Sequence, residues 1–129
     1  MPVGDDLDQL LPLQVGLFVR TELRRPADLH GNPIYARYRR DTAEVFVELG
    51  LCEDAGGARM ALSTAKSELQ AEPENVMQVC SEGTEPSFLT FVGPRAGAFV
   101  AWTRGEFYFS AHAKDGEAAL DAFMNRFPY

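Results

Sequence analysis

Apolar and polar residues alternate most regularly between Ala98 and Ala111. Ala98, Val100, Trp102, Phe107, Phe109 and Ala111 fall on one side of an extended chain, and Phe99, Ala101, Thr103, Glu106, Tyr108 and Ser110 on the other. Arg104-Gly105 interrupts the two runs, and glycine admits the positive φ of a tight turn. The pattern therefore predicts a β-hairpin turning there, with Trp102 opposite Phe107. Its first side has no polar atom except the indole N–H and reads as a core face. Residues 34–39 and 44–51 predict a second hairpin around Arg40-Asp41-Thr42-Ala43, with Ile34, Ala36, Tyr38, Val45, Val47, Leu49 and Leu51 facing inward. Alternation over 15–23 predicts a strand with Val15, Leu17, Val19, Thr21 and Leu23 on one side, and 76–80 and 87–92 predict two more. The stretch 25–33, rich in Pro, Gly, Asp and Asn, reads as a loop.

Two segments carry helical spacing instead. Asp54 is an N-cap candidate for a helix striped by Ala58, Ala61, Leu62, Ala65 and Leu69 and ended before Pro73. Asp115 is the candidate cap of a terminal helix striped by Ala119, Leu120, Phe123, Met124 and Phe127 and stopped by Pro128. Leu7, Leu10 and Leu11 before Pro12 suggest a short helical turn that docks the N-terminus. Laid on one another, the halves agree: Tyr38 falls on Trp102 and Arg40 on Arg104. After a two-residue difference in the loop, Val45 and Val47 fall on Phe107 and Phe109, and the stripe of the first helix falls on that of the second. The expectation is a single α+β domain over 1–129 built as a tandem pseudo-repeat, with halves at about 13–70 and 76–129. Its antiparallel sheet would have six or seven strands, with both long helices on one face.

Composition narrows the function classes. At 129 residues the chain can bury a core without metal or disulfide support. The formal charge of −7 opposes non-specific nucleic-acid binding, which needs a basic field. No apolar run approaches a membrane span, and the opening Met1-Pro2-Val3-Gly4-Asp5-Asp6 is acidic where a signal peptide is basic. Both features point to a cytoplasmic protein. In that compartment Cys52 and Cys80 read as free thiols. Neither they nor His30 and His112 have the close spacing of a metal site, and no cofactor motif is present. Ser63 and Lys66 match a serine–lysine spacing, but they lie mid-helix without companion motifs.

Two constellations remain. Arg20, Arg24, Arg25, Arg37, Arg39 and Arg40 crowd one stretch, where the hairpin register sets Arg39 opposite Glu44 and Tyr35 opposite Glu48. Cross-strand ion pairs explain most of that crowding, and an anion or acidic partner is the alternative. The second constellation lies on the sheet face away from the predicted helices: Tyr35, Arg37, Arg39, Phe46, Phe99 and Tyr108. Four aromatic rings on an open face suggest an interaction surface. His112 sits at a strand end near Asp115 and is the only candidate general base, with no nucleophile beside it in sequence.

Trp102-Thr103-Arg104-Gly105-Glu106-Phe107, followed by a short helix and Phe127-Pro128-Tyr129, resembles the C-terminal W-x-x-G-x-[FY] hairpin and helix of small uncharacterised bacterial α+β proteins. Ten Arg against two Lys is consistent with a GC-rich bacterial gene. The resemblance covers about the last 30 residues and implies no activity. The expectation is thus a non-enzymatic binding domain that forms a homodimer through its aromatic face. A small-molecule carrier or sensor with an apolar cavity is the alternative, and a small enzyme using His112 the third.

Overall fold

The computed structural model describes residues 11–24, 33–81, 88–93, 97–114 and 116–127. The architecture is α+β: two helices and an antiparallel sheet of eight strands among the described residues. The strands are β1 (Gln14–Val15), β2 (Phe18–Arg24), β3 (Ile34–Arg40), β4 (Ala43–Leu51), β5 (Val76–Ser81), β6 (Phe88–Gly93), β7 (Gly97–Arg104) and β8 (Phe107–Ala113). Helix α1 is Ala55–Gln70 and α2 is Glu117–Met124. The order β1-β2-β3-β4-β8-β7-β6-β5 places two four-stranded meanders side by side, joined where β4 meets β8.

The strand beyond the expected seven comes from the first alternating segment, which breaks at Gly16-Leu17 and folds back, pairing Val15 with Phe18. The turn reverses the expected facing. Phe18 points into the core, while Leu17, Val19 and Thr21 are exposed. A bulge between Arg20 and Glu22 then changes the parity again, so that Glu22 lies opposite Arg37 and Leu23 opposite Ala36.

The β3–β4 hairpin has the expected register, including Arg39 opposite Glu44 and Tyr35 opposite Glu48. The β7–β8 hairpin turns one residue later than expected, at Gly105-Glu106, and Trp102 meets Phe109 rather than Phe107. A slip of two positions in the partner strand keeps every side chain on its face. It also removes the loop difference between the halves. Tyr38 paired with Val45 corresponds to Trp102 paired with Phe109, and the same constant offset carries Val47 onto Ala111. Both turns begin on a residue in the left-handed region, Asp41 at φ 52° and Gly105 at φ 58°.

The helices do not share a face. α2 packs Leu120 and Phe123, with Phe127 beyond its end, against Phe18, Tyr38, Val45, Trp102 and Phe109. The Phe123 ring lies 4.9 Å from that of Tyr38, and Phe127 lies edge-on to Trp102 at 5.8 Å. α1 covers the opposite face, with Leu62 on Leu89, Phe91, Ala101 and Tyr108, and Ala61, Ala65 and Leu69 beside it. The reason is that β6 and β7 are largely apolar on both sides, so each side requires a cover. The pseudo-repeat therefore holds for the two hairpins and fails for the helices that follow them.

The expected Asp54 cap is present: its Oδ1 accepts from Gly57 N at 2.7 Å. The helical turn expected at Leu7 and Leu10, the loop with His30, and the Asp115 cap lie outside the described residues. Leu11 is fully buried in the α2-side core, where Arg20 Nη1 donates to its carbonyl. The Tyr38 hydroxyl donates to Pro12 O at 2.7 Å. The indole N–H of Trp102 is buried with no hydrogen-bond partner. Among the described residues no helix is long and apolar enough to cross a membrane.

Candidate functional site

Among the described residues α1 lies on β6, β7 and β8 and nothing covers the rest of its sheet face, where a groove of about 460 Å³ is found. Sheet register builds it. One row of paired residues crosses the sheet as Glu22, Arg37, Phe46, His112, Phe99, Phe91 and Met77. The adjacent row runs Arg24, Tyr35, Glu48, Ser110, Ala101 and Leu89. The groove lies over the first five members of one row and the first four of the other. The β2 bulge delivers Glu22 and Arg24 to this face and so forms the wall farthest from α1.

The first row is a stack. The Arg37 guanidinium carbon lies 5.2 Å from the centroid of Phe46, and the His112 ring lies 5.1 Å away at 18°. Arg37 reaches Glu22 at 3.4 Å and Glu44 at 3.9 Å, while its buried Nε makes no hydrogen bond. Glu22 also accepts from Arg24 at 2.7 Å, and that bond and charge hold its carboxyl below the usual range. Burial, helped by the charge of Lys114, lowers the His112 pKa and favours the neutral ring. His112 is thus occupied by packing on Phe46, and no described contact joins it to a nucleophile or an acid.

In the second row, Glu48 is half-buried between Tyr35 and Ser110. Burial raises its pKa, the hydrogen bond from Ser110 lowers it, and the charge of Glu68 on α1 raises it again. Burial and the Glu48 charge likewise raise the Tyr108 hydroxyl. Two further clefts under α1 meet the groove at this carboxylate; Tyr108 and Glu68 line both.

The six residues expected to form the face are therefore divided. Tyr35, Arg37 and Phe46 line the groove from the open side, and Phe99 lines it where α1 begins. Tyr108 is buried beneath α1 at 8% exposure, so it is not a surface residue as expected. Arg39 is exposed near the hairpin tip, and its Nε donates to Asp41 O at 2.9 Å, away from the groove. Glu22, Glu48, Ser110 and His112 complete the site. Strand alternation puts Glu48 and Ser110 on this face but gives them no role, because only the path of α1 shows which part is recessed. Cys52 and Cys80 are free thiols, the first half-buried and the second exposed. Compared with protein-family models, curated proteins and solved structures, the chain matches none.

Proposed function

We propose that this protein is a non-enzymatic small-molecule-binding domain whose ligand lies in the groove on the sheet face between β2 and Phe99 of β7. The observation that carries this reading is the groove's form and lining: a recess of ligand size, floored by Phe46 and Phe99, with Glu48, Arg37 and Ser110 converging on it. Phe46 is already clamped between Arg37 and His112, so the floor needs little ordering when a ligand enters. The test is a fragment screen by amide chemical shift on the full chain. Fragments that bind should perturb Tyr35, Phe46, Glu48 and Phe99 together. In Phe99→Ala they should bind at least about tenfold more weakly, the equivalent of roughly 1.4 kcal/mol. A screen that maps no fragment to these residues would reject the reading.

Self-association through the same face is a second reading. Val19 and Tyr35 favour it: they are 50% and 49% exposed on that face beside the groove. Light scattering over a hundredfold concentration range tests it, with Tyr35→Arg as the disrupting variant. Tyr108→Arg is unsuitable because Tyr108 is buried. A constant monomer mass in the unmodified chain would exclude the homodimer.

A further inference from the structure

The groove contains a carboxylate, Glu48, that has no counter-ion among the described residues. Ion pairs among the described residues join Arg24 to Glu22 and Arg37 to Glu22 and Glu44; none reaches Glu48. Its partners are the Ser110 hydroxyl and the like charge of Glu68. A carboxylate withdrawn from water in this way is unfavourable unless a proton or a cation neutralises it. The cationic side chains nearest in the hairpin are held elsewhere, Arg37 by its acids and Phe46, and Arg39 by the turn carbonyl. The space beside Glu48 is lined by aromatic residues: Tyr35 and Phe99 in the groove, Tyr108 in the adjoining clefts.

We infer that the groove takes a small organic cation, an ammonium group on an aromatic or branched apolar body, with its charge at Glu48 and its body against Phe99 and Tyr35. The inference rests on the groove being the ligand site and adds the chemical class of the ligand. Charge complementarity selects a cation, since among the described residues the charged side chain of the groove that stands outside the ion pairs is the carboxylate Glu48. The aromatic lining selects an organic one, because a hard metal ion requires several converging oxygen ligands. Among the described residues no three His, Cys, Asp or Glu side chains are grouped to hold a metal. Aromatic rings attract ammonium groups through their π faces. The net charge of −7 raises the local concentration of cations around the molecule.

The experiment is a chemical-shift titration of the full chain at neutral pH with phenethylammonium, and in parallel with 3-phenylpropionate, an anion of similar shape. Phenethylammonium should shift the amides of Tyr35, Glu48, Phe99 and Ser110 and bind at least tenfold more tightly than the anion. Glu48→Gln should weaken it at least tenfold, whereas Arg39→Met, at a side chain that lies away from the groove, should not. In the unmodified chain the affinity should fall several-fold between low and moderate salt. This salt series tests the charge without relying on any variant. Equal affinity in a folded Glu48→Gln, or tighter binding of 3-phenylpropionate at the same amides, would overturn the cation while leaving the groove as a ligand site. If neither probe nor any screened fragment shifts those amides, both readings fail.

Discussion

Glu48 and His112 stand two positions out of line across the β4–β8 pair, and folding favours the neutral form of each. The two consequences have opposite signs. Burial raises the Glu48 pKa, so its contribution to stability is complete below the ordinary carboxylate range and is lost as pH rises through the folded value. Glu48→Gln should therefore melt above the unmodified chain at pH 7, with the two converging as the pH falls to about 4. A difference that stayed constant with pH, or a variant less stable at pH 7, would contradict this account. Burial lowers the His112 pKa, so its contribution is complete above the ordinary imidazole range and is lost as pH falls through the folded value. His112→Phe keeps a ring against Phe46 and removes the titrating group. Its melting temperature should decline less than that of the unmodified chain between about pH 7 and pH 5. Thermal melts of both variants across that range separate the carboxyl from the imidazole.

At the scale of elements, the two hairpins were legible because strand alternation states the facing directly, and a residue of positive φ marks each turn. Asp41 and Gly105 both do so, yet the turn at Gly105 was expected one position early. Arg104-Gly105 and Gly105-Glu106 are both acceptable two-residue loops, and alternation cannot choose between registers that differ by two. The β1–β2 turn was hidden for another reason. Val15, Leu17 and Val19 preserve alternation straight through Gly16, so the pattern contains no break where the chain reverses. The path of α1 was not readable either. Its alanine stripe suits either face, and the requirement for a cover over Leu89, Phe91 and Ala101 emerges only once β6 is placed beside β7.

The glycines that shape these elements differ in consequence. Gly105 has φ +58° and open space around its Cα, so Gly105→Ala should cost only the left-handed backbone penalty, about 1 kcal/mol. Gly97 has φ +68°, and a Cβ there would run into the Ala113 carbonyl and lie 2.7 Å from Lys114 Cα. Gly97→Ala should exceed about 2 kcal/mol, because rigid backbone must move as well. Urea unfolding of the pair should rank them in that order. The reverse ranking would mean that the backbone at Ala113 and Lys114 does not approach Gly97 this closely.

Across the whole molecule, one sheet separates two cores of unequal density. On the α2 side Phe18, Tyr38, Trp102, Phe109, Phe123 and Phe127 interlock, with ring centroids 4.9–6.1 Å apart. On the other side α1 offers Ala58 and Leu62 as its buried residues, with Ala61, Ala65 and Leu69 only partly covered. Less apolar area holds α1 to the sheet, so α1 should open at a lower free energy than β3, β4 and β8. That difference bears on the groove, because α1 carries Glu68 and shelters Phe99 and Tyr108. Native-state hydrogen exchange should show α1 amides exchanging through a sub-global opening while the central strands exchange only on global unfolding. Leu62→Ala should remove roughly 3 kcal/mol from α1 protection and a smaller amount from the strands. Phe123→Ala should lower protection throughout by a similar amount, because the α2-side core spans both meanders. If α1 and the central strands lose protection equally in Leu62→Ala, the two faces unfold as one unit. The clefts that adjoin the groove under α1 would then be as rigid as the sheet beneath them.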